Sequence, residues 1–211
     1  MRSRRLEYSE STRKALVDSA IELITKRGYA GTSLDEIAKR ARVTKGALYH
    51  HFSGKQALFE AAFDAVERDV MARVAKILED AGDRWEVAMS GVRAYLRTCL
   101  EPTYQRIVLN EGPVVMGWER WREAEDQFSF GLFRNSVESL INAGIVASVA
   151  PVEATARLLF GAVSAGAQYI VGAADQKQTY NEVATAIERL FGMLRTAAAV
   201  ERGEEPEQPK R

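Results

Sequence analysis

Apolar residues recur along this chain at the spacing of helices rather than strands. Val17, Ala20, Ile21 and Ile24 fall at i, i+3, i+4 and i+7, and Gly28 stands where such a helix would stop. The spacing predicts a first helix over residues 12–27. Next, "SLDE" sets Ser33 three residues before Glu36, the arrangement of a capping box in which two side chains satisfy free backbone N–H groups. Leu34, Ile37, Ala38 and Ala41 then mark the buried face of a short second helix. Thr44 suits the N-cap of a third, with Leu48 and Phe52 facing inward.

The same logic carries on. "SGKQ" (Ser53 with Gln56) reads as a second capping box, opening a long fourth helix whose apolar row is Phe59, Ala62, Phe63, Val66, Val70, Val74 and Ile77. Gly82 breaks it, and Asp83 with Glu86 caps a fifth. Pro102 ends the fifth and starts a sixth. Residues 118–143 read as one helix closed by Gly144, Pro151 suits the first turn of the next, and Thr179 with Glu182 caps a last one reaching about Ala199. The tail "ERGEEPEQPKR" has no apolar residue and is expected to be disordered. The expected fold class is all-α, about nine helices. The expected organisation is a flexible arm over 1–10, a three-helix domain with a helix-turn-helix over 11–56, a larger helical domain over 57–200 and the tail over 201–211.

Composition narrows the function classes. With 46% apolar and 27% charged residues in 211, the chain is a globular protein. It has no apolar run of the length that spans a bilayer, and no apolar segment follows its basic N-terminus as a secretory signal requires. A lone cysteine, Cys99, allows no intrachain disulfide and no Cys-based zinc site. A cytoplasmic protein is expected. The formal net charge of zero hides an asymmetry: residues 1–56 carry twelve Lys/Arg against six Asp/Glu, and the remainder seventeen against twenty-three. A basic segment joined to an acidic remainder suggests that one end meets an anion.

The segment "VTKGALYHHFSGK" concentrates that chemistry. The second and third helices, joined by Ala41, Arg42 and Val43, make a helix-turn-helix, in which the second helix lies in the DNA major groove. Thr44 and Lys45 at its N-terminal end reach phosphate or base edges, Gly46 and Ala47 let the backbone approach closely, and Tyr49 and His50 project from the exposed side. Lys55, and Thr32 with Ser33, are further phosphate candidates at the starts of the fourth and second helices. A metal reading fails, because adjacent His50 and His51 point about 100° apart on a helix and the chain has no other histidine. His51, beside Phe52, is expected to be the partly buried one. An ordinary solvated helix face is the main competitor, but capping, turn length, inward residues and charge agree on DNA. An enzyme is a poor reading: there is no phosphate-cradling glycine loop, no nucleophile elbow, and both histidines lie in the DNA-reading segment. No metal and no cofactor is expected.

Residues 12–63 closely resemble the N-terminal domain of the TetR family of transcriptional regulators, through "RGYAGTS", "IAKRARV", "KGALYHHF" and the "KQAL" that follows. The resemblance implies a homodimeric repressor on double-stranded DNA with a palindromic operator, released when a small hydrophobic molecule binds the C-terminal domain. It places Thr32, Ser33, Thr44, Lys45, Gly46, Tyr49, His50 and Lys55 toward DNA. Arg42 departs from the family, which usually has glycine in the turn; Arg there costs about 1 kcal/mol if φ is positive, and adds a possible phosphate contact.

In the larger domain, Trp118 and Trp121 share a helical face, and Met89, Tyr95, Tyr104, Met116, Phe128 and Phe160 are candidates to converge with them on an apolar cavity. For any one of them a place in an ordinary bundle core is the simpler reading. The resemblance implies a pocket without saying which residues line it. Glu119, Glu123, Glu125 and Asp126 raise a lipophilic cation as one ligand, should a carboxylate face the pocket; a neutral or anionic hydrophobe is equally admissible. The eighth helix is rich in Gly, Ala and Ser. Gly161 and Ala165 there, with Ile187, Leu190, Phe191 and Leu194 on the last helix, are the expected dimer contacts.

Overall fold

The computed structural model describes residues 2–79, 82–147 and 150–201. Among them the chain forms nine helices and no strand: α1 (Arg2–Arg27), α2 (Leu34–Arg40), α3 (Lys45–His51), α4 (Lys55–Leu78), α5 (Arg84–Thr98), α6 (102–116), α7 (118–142), α8 (Val152–Gly172) and α9 (Gln176–Glu201). No described helix is long and apolar enough to cross a membrane. The tail at 202–211 lies outside the described residues.

Local chemistry accounts for most boundaries. The Ser33 hydroxyl accepts from the Glu36 N–H at 3.2 Å while the Glu36 carboxylate accepts from the Ser33 N–H at 3.0 Å, so the expected capping box opens α2. Thr44 caps α3 by accepting from the Ala47 N–H, and Asp83 caps α5 by accepting from the Glu86 N–H. Pro102 occupies the first turn of α6, where its missing N–H costs nothing.

Four expectations need correction. Helix α1 begins at Arg2, well before residue 12, so the described residues 2–10 are helical where an arm was expected. Helix α4 begins at Lys55, and the Gln56 amide donates to Glu60 one turn on instead of closing a box with Ser53. Helix α9 begins at Gln176, ahead of Thr179. Asp175 takes the capping role, accepting from the Gln178 N–H, and Thr179 donates to the Asp175 carbonyl. Helix α7 is continuous as expected, but residues Asp126–Phe130 are π-helical, as are Gln105–Glu111 within α6. A π turn inserts a residue and rotates everything after it around the helix.

The chain packs as two compact units. The first takes residues up to Asp69 together with Glu101–Ala124; the second takes Val70–Leu100 and residues from Glu125 onward. In the first, Leu16, Ile24, Ile37, Leu48, Phe59 and Phe63 are almost fully buried, each contributing roughly 1.5–3 kcal/mol by leaving water. Glu111 ties α6 to the end of α1, its carboxylate accepting the Tyr29 N–H at 3.1 Å just after Gly28, whose φ is +75°. In the second unit Phe130, Val137, Ala156 and Phe160 form a core with Phe133, Ile141 and Leu159 packed against it.

Candidate functional site

The turn between α2 and α3 fixes the site. Arg42 adopts φ +57°, the left-handed conformation expected of the family's glycine. Its N–H donates to the Lys39 carbonyl at 3.2 Å and the Val43 N–H donates to the Ala38 carbonyl at 3.0 Å. These two bonds are a complete Schellman motif, so the turn keeps its geometry and arginine carries the strain. Its side chain is exposed.

Helix α3 is anchored by Leu48, which is fully buried, and by Phe52 just beyond its end. The opposite face carries Thr44, Lys45, Gly46, Tyr49 and His50, all exposed, Tyr49 at 51%. At Gly46 a side chain would meet nothing nearer than the Thr44 hydroxyl at 4.0 Å, so the fold itself does not demand glycine. The Lys45 ammonium pairs with the Asp35 carboxylate of α2 at 2.8 Å, and this contact holds its pKa above the ordinary lysine value. His51 is half-buried, as expected, and burial, then His50 and Arg13, push its pKa below the ordinary value.

Lys55 opens α4 with its ammonium 4.2 Å above the Tyr29 ring, which packs edge-on against Phe59. Burial raises the Tyr29 pKa, keeping the phenol neutral. Of the two residues expected to start α2 as a phosphate clamp, only Ser33 is exposed. Thr32 is turned inward: it is 2% exposed and its hydroxyl donates to the Gly28 carbonyl at 2.9 Å. Its hydroxyl holds the α1–α2 turn and does not face solvent.

The second unit holds an apolar chamber, open at its mouth, between α4, α5, α7, α8 and α9. Met89, Tyr95 and Phe160 line it as expected, together with Trp85, Phe133 and Phe191. The other expected residues lie elsewhere. Tyr104, Met116 and Trp121 are buried in the first unit, where the Tyr104 hydroxyl lies 3.4 Å from the Glu67 carboxylate and the Trp121 indole N–H donates to the Val108 carbonyl. Trp118 is 59% exposed, its ring resting on Trp121. Phe128 is half-buried on the π segment and does not line the chamber. The acidic stretch stays outside as well: Asp126 pairs with Arg157, Glu125 accepts from Ser164, and Glu119 and Glu123 are exposed. No carboxylate lines the chamber among the described residues.

Helices α8 and α9 present an exposed apolar stripe. Of the expected dimer contacts, Gly161, Ala165 and Leu190 lie on exposed positions, but Ile187 and Phe191 are each only 5% exposed, packed inside the second unit, and Leu194 is half-buried at the chamber. Sequence reading missed Leu158, Tyr169, Met193 and Val200, all more than half exposed. Their signal was available, since 158, 161, 165 and 169 follow one helical face. Among the described residues no cluster of three His, Cys, Asp or Glu is placed to hold a metal.

Comparisons with known proteins agree with this arrangement. Residues 16–62 match the model of bacterial regulatory proteins of the tetR family, and residues 85–194 match that of the tetracyclin repressor-like C-terminal domain. The chain is 30% identical over 135 residues to the transposon Tn10 TetC protein of Escherichia coli, covering 64% of this chain and 68% of that one. It is 39% identical to the HTH-type transcriptional regulator AcrR of Shigella flexneri over 64 residues, 30% of either chain. A crystal structure of a TetR-family transcriptional regulator from Pectobacterium atrosepticum superposes with a TM-score of 0.79 at 32% identity, over 89% of this chain and 96% of that one. The fold is shared with RolR in complex with resorcinol, TM-score 0.68 at 22% identity over 97% of this chain and 98% of that one. With a helix-turn-helix unit, a helical unit around a chamber, and both family models matched in order, the chain belongs to the TetR family: it is a DNA-binding transcriptional regulator and not an enzyme.

Proposed function

We propose that this regulator is a ligand-responsive repressor that binds a palindromic operator as a homodimer and leaves it when a small hydrophobic molecule enters the chamber. The observation that carries the reading is the exposed face of α3: Tyr49, His50, Lys45 and Thr44 are exposed over a buried Leu48, with Gly46 open between them. Thr44, Lys45, Gly46, Tyr49 and His50 enter the major groove, while Ser33, Arg42 and Lys55 hold phosphates.

The exposed stripe Leu158, Gly161, Ala165, Tyr169, Leu190 and Met193 supports dimerisation, since a two-fold copy would cover it as a four-helix bundle. A dimer brings two recognition helices to successive turns of DNA, hence the palindrome. The resorcinol complex of RolR supports a ligand for the chamber here as well. Helix α4 has Met71, Val74 and Leu78 at the chamber wall and Lys55 at its other end, so it is the element on which a ligand acts. The ligand shifts the DNA-binding equilibrium only by its differential affinity for the two states. A DNA-bound regulator of this kind works in the cytoplasm.

The test is a binding titration on the DNA flanking the protein's own gene, at two salt concentrations and against excess random competitor. Tight, competitor-resistant binding to a palindromic footprint is expected. Binding lost to competitor on every such fragment would sink the specific-repressor reading.

A further inference from the structure

The chamber does not end at its apolar wall. It shares Leu78, Ala88, Leu132, Ser136 and Leu140 with a second, more open crevice, so the two adjoin along α5 and α7. Their chemistry differs. Among the described residues the chamber is lined by apolar and aromatic side chains and three hydroxyls, those of Tyr95, Ser129 and Ser136, with no charged group. The crevice adds Arg84, Asn135 and Ser139, and Arg84 is the only charged side chain among its described lining residues. Ser136 stands at the junction. Its hydroxyl donates to the Leu132 carbonyl at 3.2 Å and keeps its lone pairs for a donor on the ligand.

From this juxtaposition we propose that the ligand is an amphiphile, with an uncharged apolar body in the chamber and an anionic, carboxylate-type head in the crevice beside Arg84, Asn135 and Ser139. The proposal rests on the chamber being the regulatory site. A charge inside the chamber would lose its hydration with no partner to replace it, so any ionised group must lie at the Ser136 end. There the guanidinium favours a carboxylate and repels an ammonium, with the Asn135 amide and the Ser139 hydroxyl as further donors. Among the described carboxylates of this turn, Asp83 caps α5, Glu86 faces Arg93, and Glu79 is exposed and does not line the crevice. The aromatic steps Phe133–Phe160 and Phe133–Phe191, with centroids 5.5 and 6.3 Å apart, suit a planar or chain-like body along one wall.

The experiment uses the full chain and three matched probes: one naphthyl body on a three-carbon tether ending in a carboxylate, an alcohol or an ammonium. An n-octyl series guards against misfit of the ring. Binding is followed by tryptophan fluorescence, with Trp85→Phe identifying the chamber signal. The carboxylate is expected to bind about tenfold more tightly than the ammonium, with the alcohol between, and Arg84→Glu to reverse the order of the charged pair. An ammonium that binds as well as the carboxylate, or an order indifferent to Arg84→Glu, would overturn the head-group assignment while leaving the chamber as the ligand site. No binding by either series, with operator binding intact, would overturn both this inference and the chamber's regulatory role. Failure of the unliganded protein to bind any operator fragment is a separate result, and counts against the repressor reading alone.

Discussion

Lys45 and Asp35 are paired across the turn between α2 and α3, ammonium to carboxylate at 2.8 Å, with both side chains more than half exposed. An exposed, solvent-screened pair of this kind contributes little, so Lys45 can exchange it for a phosphate at little loss. Asp35, left behind, repels the same phosphate. Asp35→Asn is therefore expected to tighten operator binding about threefold in fluorescence anisotropy at moderate salt, and Lys45→Ala to reduce the salt slope by about one. A slope unchanged in Lys45→Ala would remove that residue from the footprint.

Tyr49 offers a different test. Half of its side chain is exposed on the outer face of α3, and a base-reading role is expected. Tyr49→Ala should weaken specific binding by about 1–3 kcal/mol and leave non-specific binding nearly as it was. Equal losses on operator and random DNA would assign the residue to the backbone instead.

The turn makes a prediction about stability alone. Because Arg42 sits at φ +57° with a Schellman motif intact around it, Arg42→Gly relieves strain without disturbing hydrogen bonds. A gain of about 1 kcal/mol is expected, offset slightly by the greater freedom of glycine in the unfolded chain. Scanning calorimetry should show the first unit melting a few degrees higher; an unmoved transition would mean that the strain is negligible.

The α8–α9 stripe predicts an oligomeric change. Leu158→Glu combined with Met193→Glu places charges on side chains that are 76% and 65% exposed in one chain, where folding is little affected. Sedimentation should report a monomer with native helicity and weakened operator binding. A dimer of unaltered affinity would put the interface elsewhere.

Much of this site was legible in the sequence, for identifiable reasons. The helix-turn-helix was readable because its determinants are local: a capping box at Ser33, an N-cap at Thr44, and Leu48 at the right spacing. Thr32 misled because a hydroxyl beside an N-cap looks available until the turn folds it under and gives it the Gly28 carbonyl. The chamber was legible only in part, and α7 shows why. Extrapolating a regular helix from Trp121 puts Phe128 on the inner face, but the π turn at Asp126–Phe130 advances the phase, so Ser129, Phe133 and Ser136 face inward instead. Nothing in periodicity announces such a turn. Tyr104 and Trp121 were placed wrongly for another reason: the stretch Glu101–Ala124 packs in the first unit, a non-local outcome that spacing does not encode.

Gly28 and Arg42 share a left-handed backbone yet stand under different constraints. At Arg42 the residue is exposed, so only the torsion is unfavourable, and most residues other than proline and the β-branched ones can occupy the position for a modest loss of stability. At Gly28 an added Cβ would also stand 2.9 Å from the Glu111 carboxylate oxygen, the same atom that accepts the Tyr29 N–H. A replacement there must meet the torsion and displace that carboxylate at once. In a random-mutagenesis library selected for folding, position 42 should accept most residues other than proline and the β-branched ones, while position 28 should be strongly enriched in glycine.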